Sequence, residues 1–241
     1  YVHQGETWLV QAVEEDDRIA LVHRADPLYY TQPQSVSDVR ILTTERSRAF
    51  GTGELSCGEV ELSSQVTSYL RRDAESGEVW DQTPLEFPER RMTTRAVWWT
   101  LPGSLLLDAG VAAVDLPGAL HAAEHCAIGL LPAFVPCDRW DIGGLSTALH
   151  PDTGAATVFV HDGLPGGSGL AERGFDLAEQ WWSATLDRLL TCPCEAGCPA
   201  CVVSPKCGSG NNPLDKDGAA GLLNLLLGRI PSRLPGAPTP R

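Results

Sequence analysis

Up to residue 101 the polar and apolar positions of this chain alternate with the period of β-strands. Residues 7–13 and 18–23 are short apolar runs split by a polar turn at 14–17, and 38–42 is a further run. Residues 31–35, with proline at their centre, read as a loop. Residues 55–57, 60–70 and 96–101 continue the strand pattern. Val60, Leu62, Val66 and Leu70 share one parity, whereas Leu55 and Cys57 take the other, so a bulge is predicted at Gly58. Beyond Pro102-Gly103 the period lengthens. Residues 105–108 and 117–134 are helical in pattern, with Ala119, Ala122, Ala123, Cys126, Ala127, Leu130 and Leu131 on one stripe. Residues 140–145 are turn-rich, 157–160 a buried strand, and 161–169 a glycine-rich loop that opens into a helix over 170–190. A last helix is expected over 214–227, capped by Asn212 or Asp215.

The predicted fold is α+β. A β-rich part over 1–101, a small twisted sheet or barrel, precedes an α/β part over 102–230, and a Pro-rich tail occupies 231–241. With 241 residues, 43% of them hydrophobic, the chain can bury a core of its own. It contains no apolar run long enough to cross a membrane as a helix and no visible signal peptide, so a cytoplasmic setting is expected. It begins at Tyr1 and its one methionine is Met92, which suggests a domain of a longer polypeptide. The net charge of −13 argues against a general electrostatic coat for nucleic acid, though not against a local basic groove.

Five of the eight cysteines fall between Cys192 and Cys207. Cys194, Cys198, Cys201 and Cys207 are spaced as Cys-x3-Cys-x2-Cys-x5-Cys, and thiolates so close along a tight turn can converge on one cation. One structural Zn2+ is therefore expected, with a closed shell that leaves no position to activate water. Cys192 is a fifth thiol that can replace Cys194 as first ligand; Cys194 is preferred because Cys192 lies where the preceding helix is still ending. Cys57, Cys126 and Cys137 have no mutual motif spacing and read as buried free thiols.

Other signals compete. His121, Glu124 and His125 follow the His-x-x-Glu-His order of inverted zinc peptidases, with Glu172 or Glu179 as a third ligand, which offers a metallo-hydrolase as the alternative function. The plainer reading is a hydrogen-bonded polar pair on a packed helix. Gly163 to Gly169 resembles a phosphate cradle at a helix start but lacks the lysine of a P-loop, so a tight turn is preferred. Asp138-Arg139-Trp140-Asp141 reads as a structural salt bridge, with Asp141 also able to orient a histidine. Arg71, Arg72, Arg90, Arg91 and Arg95, near Trp98 and Trp99, form a candidate single-strand contact by phosphate pairing and base stacking; an ordinary solvated face beside core tryptophans is the competing reading.

The run Cys194-Glu-Ala-Gly-Cys198-Pro-Ala-Cys201, continued to Lys216, resembles the C-terminal zinc-binding domain of the mitomycin repair factor A type helicases and related RecQ-four-like enzymes. Residues 2–6, 29–32, 94–99, 119–125, 137–144 and 162–167 resemble the same region in the same order. The resemblance implies a superfamily-two ATP-dependent 3′-to-5′ DNA helicase of DNA repair. Its motor would precede Tyr1, in keeping with the absence here of a Walker A sequence. It also implies that Cys194, Cys198, Cys201 and Cys207 hold zinc, that the partners are the motor of the same polypeptide and DNA, and that no residue of this chain is itself catalytic.

Overall fold

Hairpin pairing dominates the chain from its start. The computed structural model describes residues 1–229 except Glu15 and Gly110, so the Pro-rich tail expected at 231–241 lies outside the described residues. Strands β1 (Val2–His3), β2 (Glu6–Glu14) and β3 (Ile19–Arg24) make a three-stranded antiparallel sheet. Strands β4 (Tyr29–Phe50), β5 (Gly53–Asp73), β6 (Val79–Pro84), β7 (Arg90–Leu101), β8 (Ile142–Thr147) and β9 (Ala156–Asp162) make a second, ordered β4-β5-β7-β9-β8 with β6 on β5. Neither sheet closes into a barrel. The helices are α1 (Gly103–Asp108), α2 (Leu116–Leu130), α3 (Leu170–Asp176), α4 (Ala178–Thr191) and α5 (Lys216–Leu226).

Two compact units divide this fold. The first comprises residues 1–35 and 66–88, and the second 36–65 and 89–241. Strands β4 and β5 contribute residues to each. The expected boundary at residue 101 marks where helices begin, but strand pairing runs across it: β7 pairs with β9 from Ala96↔His161 to Leu101↔Ala156.

In the second unit the sheet is covered on both faces, and parity decides which residue goes where. Val97, Trp99 and Leu101 of β7 join Leu55 and Cys57 of β5 and Val158 and Val160 of β9 beneath the helices. Ala96, Trp98, Val60 and Phe159 point the other way, into a smaller cluster with Val39 of β4. This corrects the bulge predicted at Gly58. The β5–β7 register is unbroken from Glu54↔Thr100 to Ser64↔Arg90. The shift of apolar parity arises because β5 is covered first on one face and then on the other. Gly58 is required for a different reason: a Cβ there would lie 2.0 Å from the Thr43 carbonyl oxygen.

Three further expectations change. Residues 31–35 belong to β4, because a proline is tolerated where its missing N–H faces no ladder partner. The turn-rich stretch 140–145 is a 3-10 turn followed by β8. Gly143 is admitted there because the His161 ring occupies the space its side chain would need, 2.4 Å from an added Cβ. The helix expected over 170–190 is two helices, broken at Leu177. Asp215 caps α5, accepting from the Gly218 amide at 2.8 Å.

The helical layer is built around α2, whose residues 118–120 and 122–128 are all buried, with His121 between them half-buried. Trp99 stacks edge-on against Trp182 of α4, ring centroids 5.5 Å apart, and both are fully buried. Burial pushes the thiols of Cys57 and Cys126 up to about 12, so both are protonated across the neutral range. Two outcomes follow. Brief alkylation of the native protein at about pH 8 leaves Cys57 and Cys126 unmodified by peptide mass mapping, and denaturant restores their labelling, since an unfolded cysteine titrates near ~8.5. Trp99→Ala costs about 3–5 kcal/mol in chemical denaturation, through lost burial and a cavity between the sheet and α4.

Candidate metal centre

The C-terminus of α4 delivers the first ligand. Its last hydrogen bond, Cys192 N–H to the Arg188 carbonyl at 3.1 Å, leaves Cys192 at the C-cap with an extended backbone. The chain then turns back on itself through Cys194, Cys198 and Cys201. Gly197, at φ +120°, is needed within that turn, because a Cβ would lie 2.4 Å from a methyl of Val202. The Cys198 amide donates to Cys201 Sγ at 3.3 Å, and the Cys201 amide to the Cys198 carbonyl at 2.9 Å.

Four sulfurs converge as a result: Cys192, Cys194, Cys198 and Cys201. Their separations are 3.6 Å for Cys192–Cys198 and Cys194–Cys192, 3.5 Å for Cys194–Cys201 and 3.8 Å for Cys198–Cys201. A tetrahedron with Zn–S bonds of about 2.3 Å has sulfur–sulfur edges of ~3.8 Å, so the four thiols fit one structural zinc. The shell is closed, and the metal would hold α4 to the turn that follows it. Burial opposes ionisation of Cys194, yet hydrogen bonds from Cys201, Cys192 and Cys198 bring it down to about 7. Lys216, buried at the start of α5, donates from Nζ to the Cys192 carbonyl at 2.8 Å and to that of Cys194. Arg188 Nε donates to the Ala200 carbonyl at 2.7 Å. Both cations lie against the backbone of the ligand turn, where four thiolates and Zn2+ leave excess negative charge.

This arrangement differs from the ligand set read from spacing. Cys192 takes the place given to Cys207, because α4 ends one residue before Cys192 and turns its side chain inward. Cys207 lies with α2 instead. Its Sγ is 3.4 Å from His121 Nε2, and His121, His125 and Cys207 form a separate cluster of potential ligands. Burial raises the Cys207 thiol, but hydrogen bonds from His121, His125, Ser209 and the Asn211 amide outweigh it and carry it down to about 4. His121 is lowered by burial yet ends above its ordinary value through its bonds to Cys207 and Pro213. Glu124 is buried and its carboxyl is raised by desolvation. The third ligands suggested for a hydrolase are engaged elsewhere: Glu172 pairs with Arg95 at 2.7 Å and Glu179 with Arg48 at 3.2 Å. Sequence spacing could not pair Cys207 with helix α2, although five thiols for four positions were a signal that one had another partner.

The other candidates resolve locally. Asp162, fully buried, accepts from the Ser168 hydroxyl at 3.0 Å and the Ala171 amide at 2.8 Å, so its own carboxylate fills the start of α3. The glycine-rich loop is thus the tight turn preferred from the sequence. Asp138 and Asp141 form a capping box around the 3-10 turn, correcting the expected salt bridge. Arg95 is clamped between Glu45 and Glu172 and its side chain is 19% exposed. Arg71 is paired with Asp81, and Arg72 donates to Gln32 at 2.6 Å and the Gly77 carbonyl at 2.8 Å, both within the first unit. Arg91 pairs with Glu89 and Glu61, whereas Arg90 enters no ion pair among the described residues. Trp98 and Trp99 are core residues, so neither offers a face for base stacking.

An open groove of about 930 Å³ crosses the second unit between β4, β5, β7 and β8. Arg90, Arg91, Ser63, Ser64, Trp140 and Lys206 line it, together with Asp38 and Glu59. Trp140 is 68% exposed, and Lys206 Nζ lies 4.9 Å from its ring centroid.

Residues 123–202 match the family model described as the MrfA Zn-binding domain. The uncharacterized protein MJ1572.1 of Methanocaldococcus jannaschii is 41% identical over 113 residues, 45% of this chain and 99% of that protein. The chain belongs to the MrfA Zn-binding domain family. It is also similar to the uncharacterized ATP-dependent helicase YprA of Bacillus subtilis, 26% identical over 84% of this chain and 27% of the relative. A crystal structure of the DUF1998 helicase MrfA bound to DNA shares the fold, with a TM-score of 0.62 and 24% identity over 93% of this chain and 29% of that one. The chain thus spans about a quarter of the helicase relative's length.

In the MrfA Zn-binding domain, Cys192→Ser abolishes zinc retention at the four-thiol site and lowers the thermal midpoint by roughly 10 °C or more. Lys216→Met weakens zinc binding about 10–100-fold in chelator competition, as loss of a group supporting the ligands does.

Proposed function

We propose that this chain is the C-terminal accessory module of an ATP-dependent DNA helicase, carried in the same polypeptide as the motor. The observation that carries the reading is coverage: the chain aligns over 84% of its own length with only 27% of a protein named an ATP-dependent helicase. The closed sulfur shell supports it, because a metal with four protein ligands holds structure and offers no position for substrate. None of the described helices is long and apolar enough to cross a membrane. The finer parts of the proposal are 3′-to-5′ polarity, a role in DNA repair and a cytoplasmic setting.

Within this module the groove of the second unit guides the unwound single strand. Trp140 supplies an exposed aromatic face for a base, and Arg90 and Lys206 supply phosphate contacts. Lys206 donates to the carbonyls of Arg139 and Ile142 at 2.9 and 2.6 Å, which leaves an ammonium hydrogen for a phosphate. Of the candidate arginines, Arg90 is the one whose charge is uncommitted. Arg91 stands beside it, while Arg71, Arg72 and Arg95 are held by partners of their own.

The full-length enzyme carrying Arg90→Glu with Trp140→Ala binds a tailed duplex about 10–100-fold more weakly in fluorescence anisotropy, with a shallower salt dependence. Its ATPase activity without DNA is unchanged. Undiminished affinity in the double variant would remove the groove from the strand's path.

A further inference from the structure

We propose that His121, His125 and Cys207 form a second metal site, holding Zn2+ through the two Nε2 atoms and Sγ. Three observations carry this. The first is convergence: His121 and His125 stand one turn apart on α2, their ring centroids 4.2 Å from each other, and the three candidate ligand atoms lie within 4.8 Å of one another. The Cys207 Sγ–His121 Nε2 distance of 3.4 Å is close to the ~3.6 Å edge expected between sulfur and nitrogen on one tetrahedral zinc.

The second is tautomer. His121 Nδ1 is 2.8 Å from the Pro213 carbonyl and His125 Nδ1 is 2.7 Å from the Val202 carbonyl. A carbonyl can only accept, so each Nδ1 carries the proton, and in the neutral ring each Nε2 presents its lone pair to the cluster. A backbone carbonyl behind the ring is the usual support of a metal-bound histidine. The third is the sulfur. It receives the Asn211 amide at 3.2 Å and lies 3.2 Å from the Ser209 hydroxyl, donors that suit a thiolate. In the metal-free chain a proton on His121 Nε2 bridges to the Cys207 sulfur; Zn2+ would displace that proton and gather both lone pairs and the thiolate around one charge.

This site differs in kind from the four-thiol site. Three protein ligands leave a fourth position for water or another oxygen or nitrogen donor. It also ties the loop after Cys201 to α2, and that loop carries Lys206 into the groove. The two sites are neighbours along the backbone: Val202, whose carbonyl holds His125, directly follows Cys201.

The test is zinc content of the full chain by elemental mass spectrometry, after loading with excess zinc and desalting. Two zinc ions per chain are expected in the wild type, and one in Cys207→Ser and in His121→Ala. A single zinc in the wild type, or two retained in either variant, would overturn the proposal. Where a variant does not fold, cobalt titration of the wild type decides. A second equivalent of Co2+ should add ligand-field bands with a weaker thiolate charge-transfer band than the first equivalent, reflecting one sulfur in place of four. A second equivalent that brings no thiolate band also overturns the site.

Discussion

Concentrated thiolate charge inside the helical layer is the constraint to which the C-terminal half of this protein answers. Cys192 and Cys201 are 6% and 7% exposed, and ionised sulfur at such depth is tolerated only beside a cation. A zinc ion held by the four thiols would supply that cation. Lys216 and Arg188 add positive charge from α5 and α4, through the carbonyls of the turn and without touching the sulfurs. The same turn sets where α4 ends, where α5 begins and, through Val202, how His125 is held on α2. Three helices that share apolar surface are thereby fixed in register by polar contacts with one short segment.

Much of this architecture was legible in the residues, and the failures are informative. Alternation located the strands because each face of the second unit's sheet is buried by a different neighbour. That same double coverage imitated a bulge at Gly58, since a parity change caused by burial and one caused by an inserted residue look alike in one dimension. The glycines of β8 hid a strand, because their purpose depends on residues outside it: Gly143 makes room for the His161 ring and Gly144 for Ile128 and the Phe159 carbonyl. The identity of the fourth thiolate was hidden for a related reason. Spacing counts residues within the turn, whereas the choice between Cys192 and Cys207 was made by the end of α4 and by two histidines on α2.

The arginine-rich stretch of β7 shows how charge in sequence differs from charge available in space. Arg95 is consumed by two glutamates, and the tryptophans that seemed to accompany it point into the two cores on opposite faces. The exposed aromatic lining the groove is Trp140, outside any basic run and held by a capping box in a short turn. The basic and aromatic groups that meet in the groove come from strand β7, the 3-10 turn and the zinc-proximal loop, segments far apart in the chain. An acidic protein can therefore assemble a small cationic surface from separate segments, of which only β7 is arginine-rich in sequence.

The uneven depth of the four-thiol site also bears on time. Cys192 and Cys201 are buried against the helical layer, whereas Cys194 and Cys198 are part-exposed. A solvent-borne competitor therefore meets the outer two thiols first, and a bound ion leaves in steps, its release from the inner pair waiting for a local opening of the turn. How long the ion stays is then set by two sulfurs out of four.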